Sequence, residues 1–176
     1  MKNDNIFYDT VWSKDELKQF RKMFTKWDGI ETEAYEGYRE VTWLSKSTEN
    51  VANYPNPDKL LEKYCSYLSP RIGMQFAKLL DKGYSVDAKL ALYREGHEYI
   101  WHSDDCVHPT NKWMRIISSI TYLNDDYEGG STEFEDHTIT PVSGKTLIFP
   151  SAFTHPHRGL SVKSGVKQIL VMHIWV

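Results

Sequence analysis

His102-Ser103-Asp104 places an imidazole and a carboxylate two residues apart. On an extended backbone, residues i and i+2 leave from the same face. A distant histidine, ten residues before Lys167, would complete a set of two imidazoles and one carboxylate. Such a set holds non-haem Fe(II) while leaving metal positions open for substrate and oxygen. The lysine then has a role as well, because an anionic co-substrate bound at the metal needs a cation at its far end. Taken alone the His-x-Asp pair carries little weight, since the chain has seven histidines in 176 residues. A lone histidine is more often a partly buried hydrogen-bonder than a ligand.

The context changes that weight. After the pair comes Arg115-Ile116-Ile117-Ser118-Ser119-Ile120-Thr121-Tyr122-Leu123-Asn124, a β-rich run ending in an acidic loop. Gly129-Gly130-Ser131-Thr132-Glu133-Phe134 follows, then Gly144 to Ser151, a histidine-rich turn, and Gly165 to Met172. This ordered series resembles the prolyl 4-hydroxylase-like branch of the Fe(II)/2-oxoglutarate dioxygenases. That family has a tyrosine nine residues before its His-x-Asp, a YLN-like strand end, a GG-T-x-F segment and an FPS-like strand end. A distal histidine and, ten residues beyond it, a Lys or Arg complete the pattern. The matching positions are Tyr93, His102 and Asp104, Tyr122 to Asn124, Gly129 to Phe134, Phe149 to Ser151, and Lys167. The likeness is dense over residues 91–172 and thins over the N-terminal third.

The distal histidine has two candidates. Counting back ten from Lys167 gives His157, which also leaves Gly165 eight residues beyond the histidine, as in the family. Counting forward from the FPS-like strand end gives His155. Both share parity, so facing on a strand does not separate them. The lysine spacing is the better guide, because co-substrate length ties histidine to cation across adjacent strands, whereas the other offset crosses a turn of variable length. His157 is therefore the expected ligand, with His155 beside the site. His173, six residues beyond Lys167, reads as structural.

By resemblance, His102, Asp104 and His157 hold Fe(II), and 2-oxoglutarate binds the metal with its distal carboxylate on Lys167. Tyr93 adds a hydroxyl at that end, or is an ordinary barrel aromatic. Arg158 and Lys163 are the fallback cations. Asp105 is expected to face solvent or to support the site from behind. Halogenating relatives lack the carboxylate of the triad, so Asp104 favours hydroxylation. The implied products are succinate and carbon dioxide, with ascorbate an allowed auxiliary. The alternative reading is a jelly-roll module that binds a metal or ligand without turnover, which leaves Lys167 unexplained.

The remaining sequence must position these groups. The length suits one domain with a real core, with helical support over about 13–82 and a jelly-roll core over about 86–176. Hydrophobic residues make up 40% and aromatics 14%, which argues for a folded chain with an aromatic-lined mouth. Ser13 and Glu16 form a capping box that opens a helix through about Trp27, with Leu17, Phe20 and Phe24 inward. Residues 38–45 alternate as a strand. Asn56-Pro57-Asp58 starts a second helix with Leu60, Leu61, Tyr64 and Leu68 on one side. A third helix runs from about Arg71 to Lys82, stopped by Gly83. Strands are expected at 86–94, 98–102, 114–123, 132–135, 138–140, 145–149, 154–159 and 167–175. Eight short strands suit a double-stranded β-helix, giving a mainly β, α+β protein.

Cys65 and Cys106 lie far apart in no metal or redox spacing, Cys65 within a helix and expected to be buried. A reducing cytoplasm is therefore the default compartment. The first residues lack an apolar signal core, and no apolar run approaches the roughly 18 residues that span a bilayer. For the second substrate, Asp125, Asp126 and Glu128 with Glu133, Glu135 and Asp136 supply six acids. If they border the mouth they disfavour nucleic acid, which needs cations along its path, and suit a basic or neutral peptide. By resemblance that peptide or protein presents a prolyl residue. Free amino acids and small metabolites stay open.

Overall fold

Alternation along two long strands organises the molecule. The computed structural model describes residues 5–26, 30–32, 39–44 and 54–176. Strands β1 (Phe7–Thr10), β2 (Ile30–Thr32), β3 (Arg39–Leu44), β4 (Ser85–Tyr93), β6 (Arg115–Tyr122), β10 (Lys145–Pro150) and β13 (Lys167–Trp175) form one sheet in the order β1-β10-β6-β13-β4-β3-β2. A smaller sheet runs β5-β11-β8-β9, from β5 (Tyr99–His102), β8 (Thr132–Phe134), β9 (Thr138–Ile139) and β11 (His157–Gly159). Strands β7 (Glu128–Gly129) and β12 (Val162–Ser164) pair separately. The sheets enclose a common cavity as a jelly roll, and the fold is α+β with a double-stranded β-helix core.

On β4, Ala88, Leu90 and Leu92 point outward, as do Leu170 and Met172 on β13. They pack under α1 (Lys14–Lys22), whose Leu17 and Phe20 complete that layer with Trp12. Helix α2 (Pro57–Tyr67) lays Leu60, Leu61 and Tyr64 on Ile117, Ile148 and Ile174 of the same sheet. Each such buried aliphatic side chain contributes roughly 1.5–3 kcal/mol. Residues of opposite parity face the cavity, including Lys89 and Tyr93 of β4 and Lys167, Ile169, Val171 and His173 of β13. One strand pair thus bonds the helical layer with one face and builds the site with the other.

The helix signals read from sequence have physical counterparts. The Ser13 backbone N–H donates to Glu16 Oε2 at 2.8 Å, and Ser13 Oγ accepts from the Glu16 N–H at 3.3 Å. Asn56 Oδ1 caps α2 by accepting from the Asp58 N–H at 3.0 Å. Helix α3 (Pro70–Leu80) is capped by Ser69, and Gly83 follows it with a φ of 99°. The first helix is shorter than expected: after Lys22 the chain tightens into a 3-10 turn over Met23–Lys26, and Trp27 lies outside the described residues. Cys65 is only half-buried on α2. The strand expected over 154–159 begins only at His157, because the chain turns beforehand, with the His155 N–H bonded to the Ala152 carbonyl. Among the described residues, no helix is long and apolar enough to cross a membrane.

Candidate metal centre and co-substrate pocket

Strand β11 runs antiparallel to β5 with His157 directly opposite His102, which brings their ring centroids to 4.3 Å. Asp104 follows two residues after His102. Ligand atoms of His102, Asp104 and His157 all lie within 4.8 Å of one another. His102 Nε2 is 3.5 Å from Asp104 Oδ1, and His157 Nε2 is 3.7 Å from Asp104 Oδ2. The far ring nitrogens are engaged: His102 Nδ1 lies 2.8 Å from the Ile100 carbonyl and His157 Nδ1 3.1 Å from the His155 carbonyl. Because a carbonyl only accepts, each Nδ1 carries its proton and each Nε2 lone pair is turned toward the carboxylate.

The electrostatics agree with that donor set. Burial pushes the His157 imidazole down to about 4, against the attraction of Asp104, so the ring is neutral at pH 7. Burial works to raise Asp104, but its hydrogen bond to His102 and the nearby histidines outweigh it and hold the carboxyl well below the usual range. Two imidazoles presenting Nε2 and one ionised carboxylate fit a divalent first-row metal with open positions.

His155 is not part of this group. It sits in the turn before β11, where its Nδ1 meets Thr154 Oγ1 at 2.8 Å and its Nε2 is buried without a hydrogen-bond partner. Shared parity with His157 therefore does not apply, since His155 precedes the strand. Asp105 is exposed and hydrogen-bonded to Ser103.

Lys167 is paired in register with Tyr93 on the neighbouring strand. Its side chain is buried, with Nζ 4.9 Å from the Tyr93 ring centroid and 5.6 Å from that of Tyr122. Nζ donates to the Gly130 carbonyl at 2.6 Å, and among the described residues no carboxylate is within ion-pair distance. Burial alone pushes its pKa down to about 7. The Tyr93 hydroxyl accepts from Arg39 at 3.4 Å. Gly130 explains the double glycine: with φ of 63°, a Cβ there would lie 2.9 Å from the Tyr127 ring and 3.1 Å from Lys167 Cδ. Arg158 is engaged by Glu133, Lys163 is exposed, and neither lines the cavity.

Several lining residues were not singled out from the sequence, and His173 was read there only as structural. His173 is fully buried in the wall, its Nδ1 2.6 Å from Asp87 Oδ1 and its Nε2 3.8 Å from Asp104 Oδ2. Asp87 also accepts from Trp175 Nε1 at 2.8 Å and faces Arg115 at 3.5 Å. Arg39, Trp43, Lys89, Tyr99 and Thr132 line the same cavity of about 380 Å³. None of the six acids of the two acidic segments lines the cavity itself. Alternation counted backward from Tyr93 and forward from Lys167 was the signal that could have placed Lys89 and His173 inside.

Residues 88–176 match the family model of the 2OG-Fe(II) oxygenase superfamily, and the chain belongs to that family. Membership implies oxidoreductase activity with Fe(II) and 2-oxoglutarate, for which the donor set and the buried lysine provide fitting residues. No curated protein matches the chain. Among solved structures, the viral collagen prolyl hydroxylase of Paramecium Bursaria Chlorella virus-1 aligns with a TM-score of 0.70 at 23% identity, covering 98% of this chain and 96% of that one. A Pseudomonas putida prolyl-4-hydroxylase aligns with a TM-score of 0.69 at 17% identity, covering 97% and 91%. A Trichoplax adhaerens prolyl hydroxylase in complex with a hypoxia inducible factor peptide fragment gives 0.69 at 14%, covering 98% and 84%. At these identities the likeness speaks for the fold.

Proposed function

We propose that the chain is a single-domain Fe(II)- and 2-oxoglutarate-dependent dioxygenase that hydroxylates a prolyl or other residue in a peptide or protein. The observation that carries this reading is Lys167: a buried cation without a described counter-charge, in the same cavity as two imidazoles and a carboxylate within 4.8 Å of one another. An unpaired buried charge is costly unless a ligand completes it. The named activities of the prolyl hydroxylases that share the fold favour a prolyl acceptor in a peptide. The two free cysteines, one of them exposed, fit a reducing cytoplasm.

In this reading His102, Asp104 and His157 hold the metal, with the Ile100 and His155 carbonyls fixing the imidazole tautomers. Lys167 Nζ, which lies 4.9 Å from the Tyr93 ring centroid, would donate to the distal carboxylate of the co-substrate, and the Tyr93 hydroxyl would serve the same end. Iron and 2-oxoglutarate, once bound, supply the oxidative decarboxylation that consumes dioxygen, releases succinate and carbon dioxide, and hydroxylates the second substrate. Ile120, Ile169 and Val171 add apolar lining to the cavity, which would limit water around the reacting groups. Burial keeps His157 neutral, so that ligand takes up metal without first losing a proton at pH 7. Ascorbate would serve only to keep iron reduced.

The test is spectroscopic and chemical. Anaerobic protein with Fe(II) and 2-oxoglutarate is expected to show a weak visible charge-transfer band that neither addition gives alone. In air, succinate should then form. Iron binding with no spectral response to 2-oxoglutarate would favour the non-catalytic metal-binding module.

A further inference from the structure

The cavity has a second cationic wall that the mechanism above leaves unused. Lys89 shares the inner face of β4 with Tyr93 and lines the cavity. In register, Tyr93 opposes Lys167 while Lys89 opposes Val171. The two lysines therefore root four residues apart along the sheet, about 13 Å at about 3.3 Å per residue.

Lys89 feels Asp104 and Asp87 from a distance but contacts neither in an ion pair. Trp43 stands opposite it on β3, with the ring centroid 5.0 Å from Nζ. Among the described residues no carboxylate lies within ion-pair distance of Nζ. Arg115, on the same wall, already has Asp87 at 3.5 Å. Burial and the nearby Arg39 guanidinium push Lys89 down to about 8, although Asp104 opposes them. A positive, half-buried wall with low-dielectric sides concentrates anions, and an anion that arrives with its own hydrogen-bonding oxygens offsets the cost of burying the lysine. The Trp43 face beside it suits the apolar part of the same ligand.

We propose that Lys89 determines specificity by binding a carboxylate carried by the second substrate, so that the acceptor is an acid. The carboxylate belongs either to a free amino acid or to an acidic or C-terminal position of a peptide beside the oxidised residue. This inference rests on the proposed oxygenase reading of the site.

The experiment uses the full chain loaded anaerobically with Fe(II) and 2-oxoglutarate. The charge-transfer band is titrated with L-amino acids and their carboxamides, and with proline-containing peptides bearing Asp or Glu against Asn or Gln, with free or amidated C-termini. Hits are then assayed for substrate-dependent succinate release. Acids are expected to perturb the band and support turnover, and their amides to be weaker by roughly ten- to a hundredfold. The amino-acid and peptide arms separate the two sources of carboxylate. Lys89→Met should remove the preference for acid over amide while 2-oxoglutarate affinity stays that of the native protein, and Lys89→Arg should retain the preference. Equal response to acids and amides, no response to any acid, or loss of 2-oxoglutarate binding in Lys89→Met would each overturn the proposal. Absence of the band in the native protein instead overturns the oxygenase reading beneath it.

Discussion

His157 and His102 are direct cross-strand partners, and the geometry of the candidate metal centre follows from that single pairing. Opposed residues on antiparallel strands bring their Cβ atoms within about 4.5–5.5 Å. The two rings therefore meet with no help from a loop, and Asp104, two residues past His102, needs only to fold back over them. On its other side His157 opposes Phe134 of β8, and Phe149 contacts the ring edge-on at 4.7 Å between centroids. The imidazole is held between strands and aromatics, which favours a fixed metal site over an adaptable one.

Removing His157 of β11 or His155 of the turn before it tests that relationship. His157→Ala is expected to abolish uncoupled 2-oxoglutarate decarboxylation and to cripple iron retention. His155→Ala should keep measurable iron binding and lose about 10- to 100-fold in activity, the usual cost of a supporting partner. Calorimetric iron titration of both variants, with circular dichroism to check the fold, decides between them. Iron lost from His155→Ala and kept by His157→Ala would mean that the metal-bound form rearranges the turn before β11.

Much of this site was legible in sequence because its spacings are set by strand geometry. The ten residues from His157 to Lys167 and the nine from Tyr93 to His102 span fixed register pairs, His157↔His102 and Lys167↔Tyr93. Where a turn intervened, the reading weakened: His155 could not be separated from His157 by facing, since nothing local announced that the strand starts at His157. The short strands β7 and β12 went unread, as two or three residues carry no periodicity of their own and these lie in polar, glycine-containing stretches. Lys89 was passed over for a different reason, whereas His173 was read as structural. A charged residue within a strand reads as solvent-facing until the strand is known to line a polar cavity.

Lys167 gives the expected pH dependence. In the free protein its pKa lies at about 7, below the ordinary 10.5. The folded group is therefore less protonated than the unfolded one between about pH 7 and 10.5, so its contribution to stability is most unfavourable below that window and improves as pH rises through it. Binding of a carboxylate reverses the bias, because the charged form gains a partner. At pH 8, 2-oxoglutarate should bind with net proton uptake, and its affinity should fall as pH climbs above about 7. Calorimetry in two buffers of different ionisation enthalpy measures that uptake. Lys167→Met should abolish it and weaken 2-oxoglutarate by about ten- to a hundredfold, the worth of a charge-assisted bond of about 1.5–3 kcal/mol. Native binding with no proton uptake at pH 8 would reject the pairing.

Gly130 is the last position whose change has a calculable consequence. Its φ of 63° is strained for any residue with a Cβ, and the added carbon would stand 2.9 Å from the Tyr127 ring and 3.1 Å from Lys167 Cδ. Gly130 also supplies the carbonyl that Lys167 Nζ bonds at 2.6 Å. Gly130→Ala must therefore move Tyr127, the lysine, or the backbone between β7 and β8. The conformational cost alone is about 1–3 kcal/mol, and displacement of the lysine adds a loss of co-substrate binding. The expected result is a lower melting temperature together with a 2-oxoglutarate affinity reduced by about tenfold or more, while Fe(II) binding at His102, Asp104 and His157 persists. Denaturation curves and separate titrations of metal and 2-oxoglutarate read the two effects independently. If Gly130→Ala lowers stability but leaves 2-oxoglutarate affinity intact, Tyr127 alone absorbs the strain and the glycine serves the turn rather than the lysine.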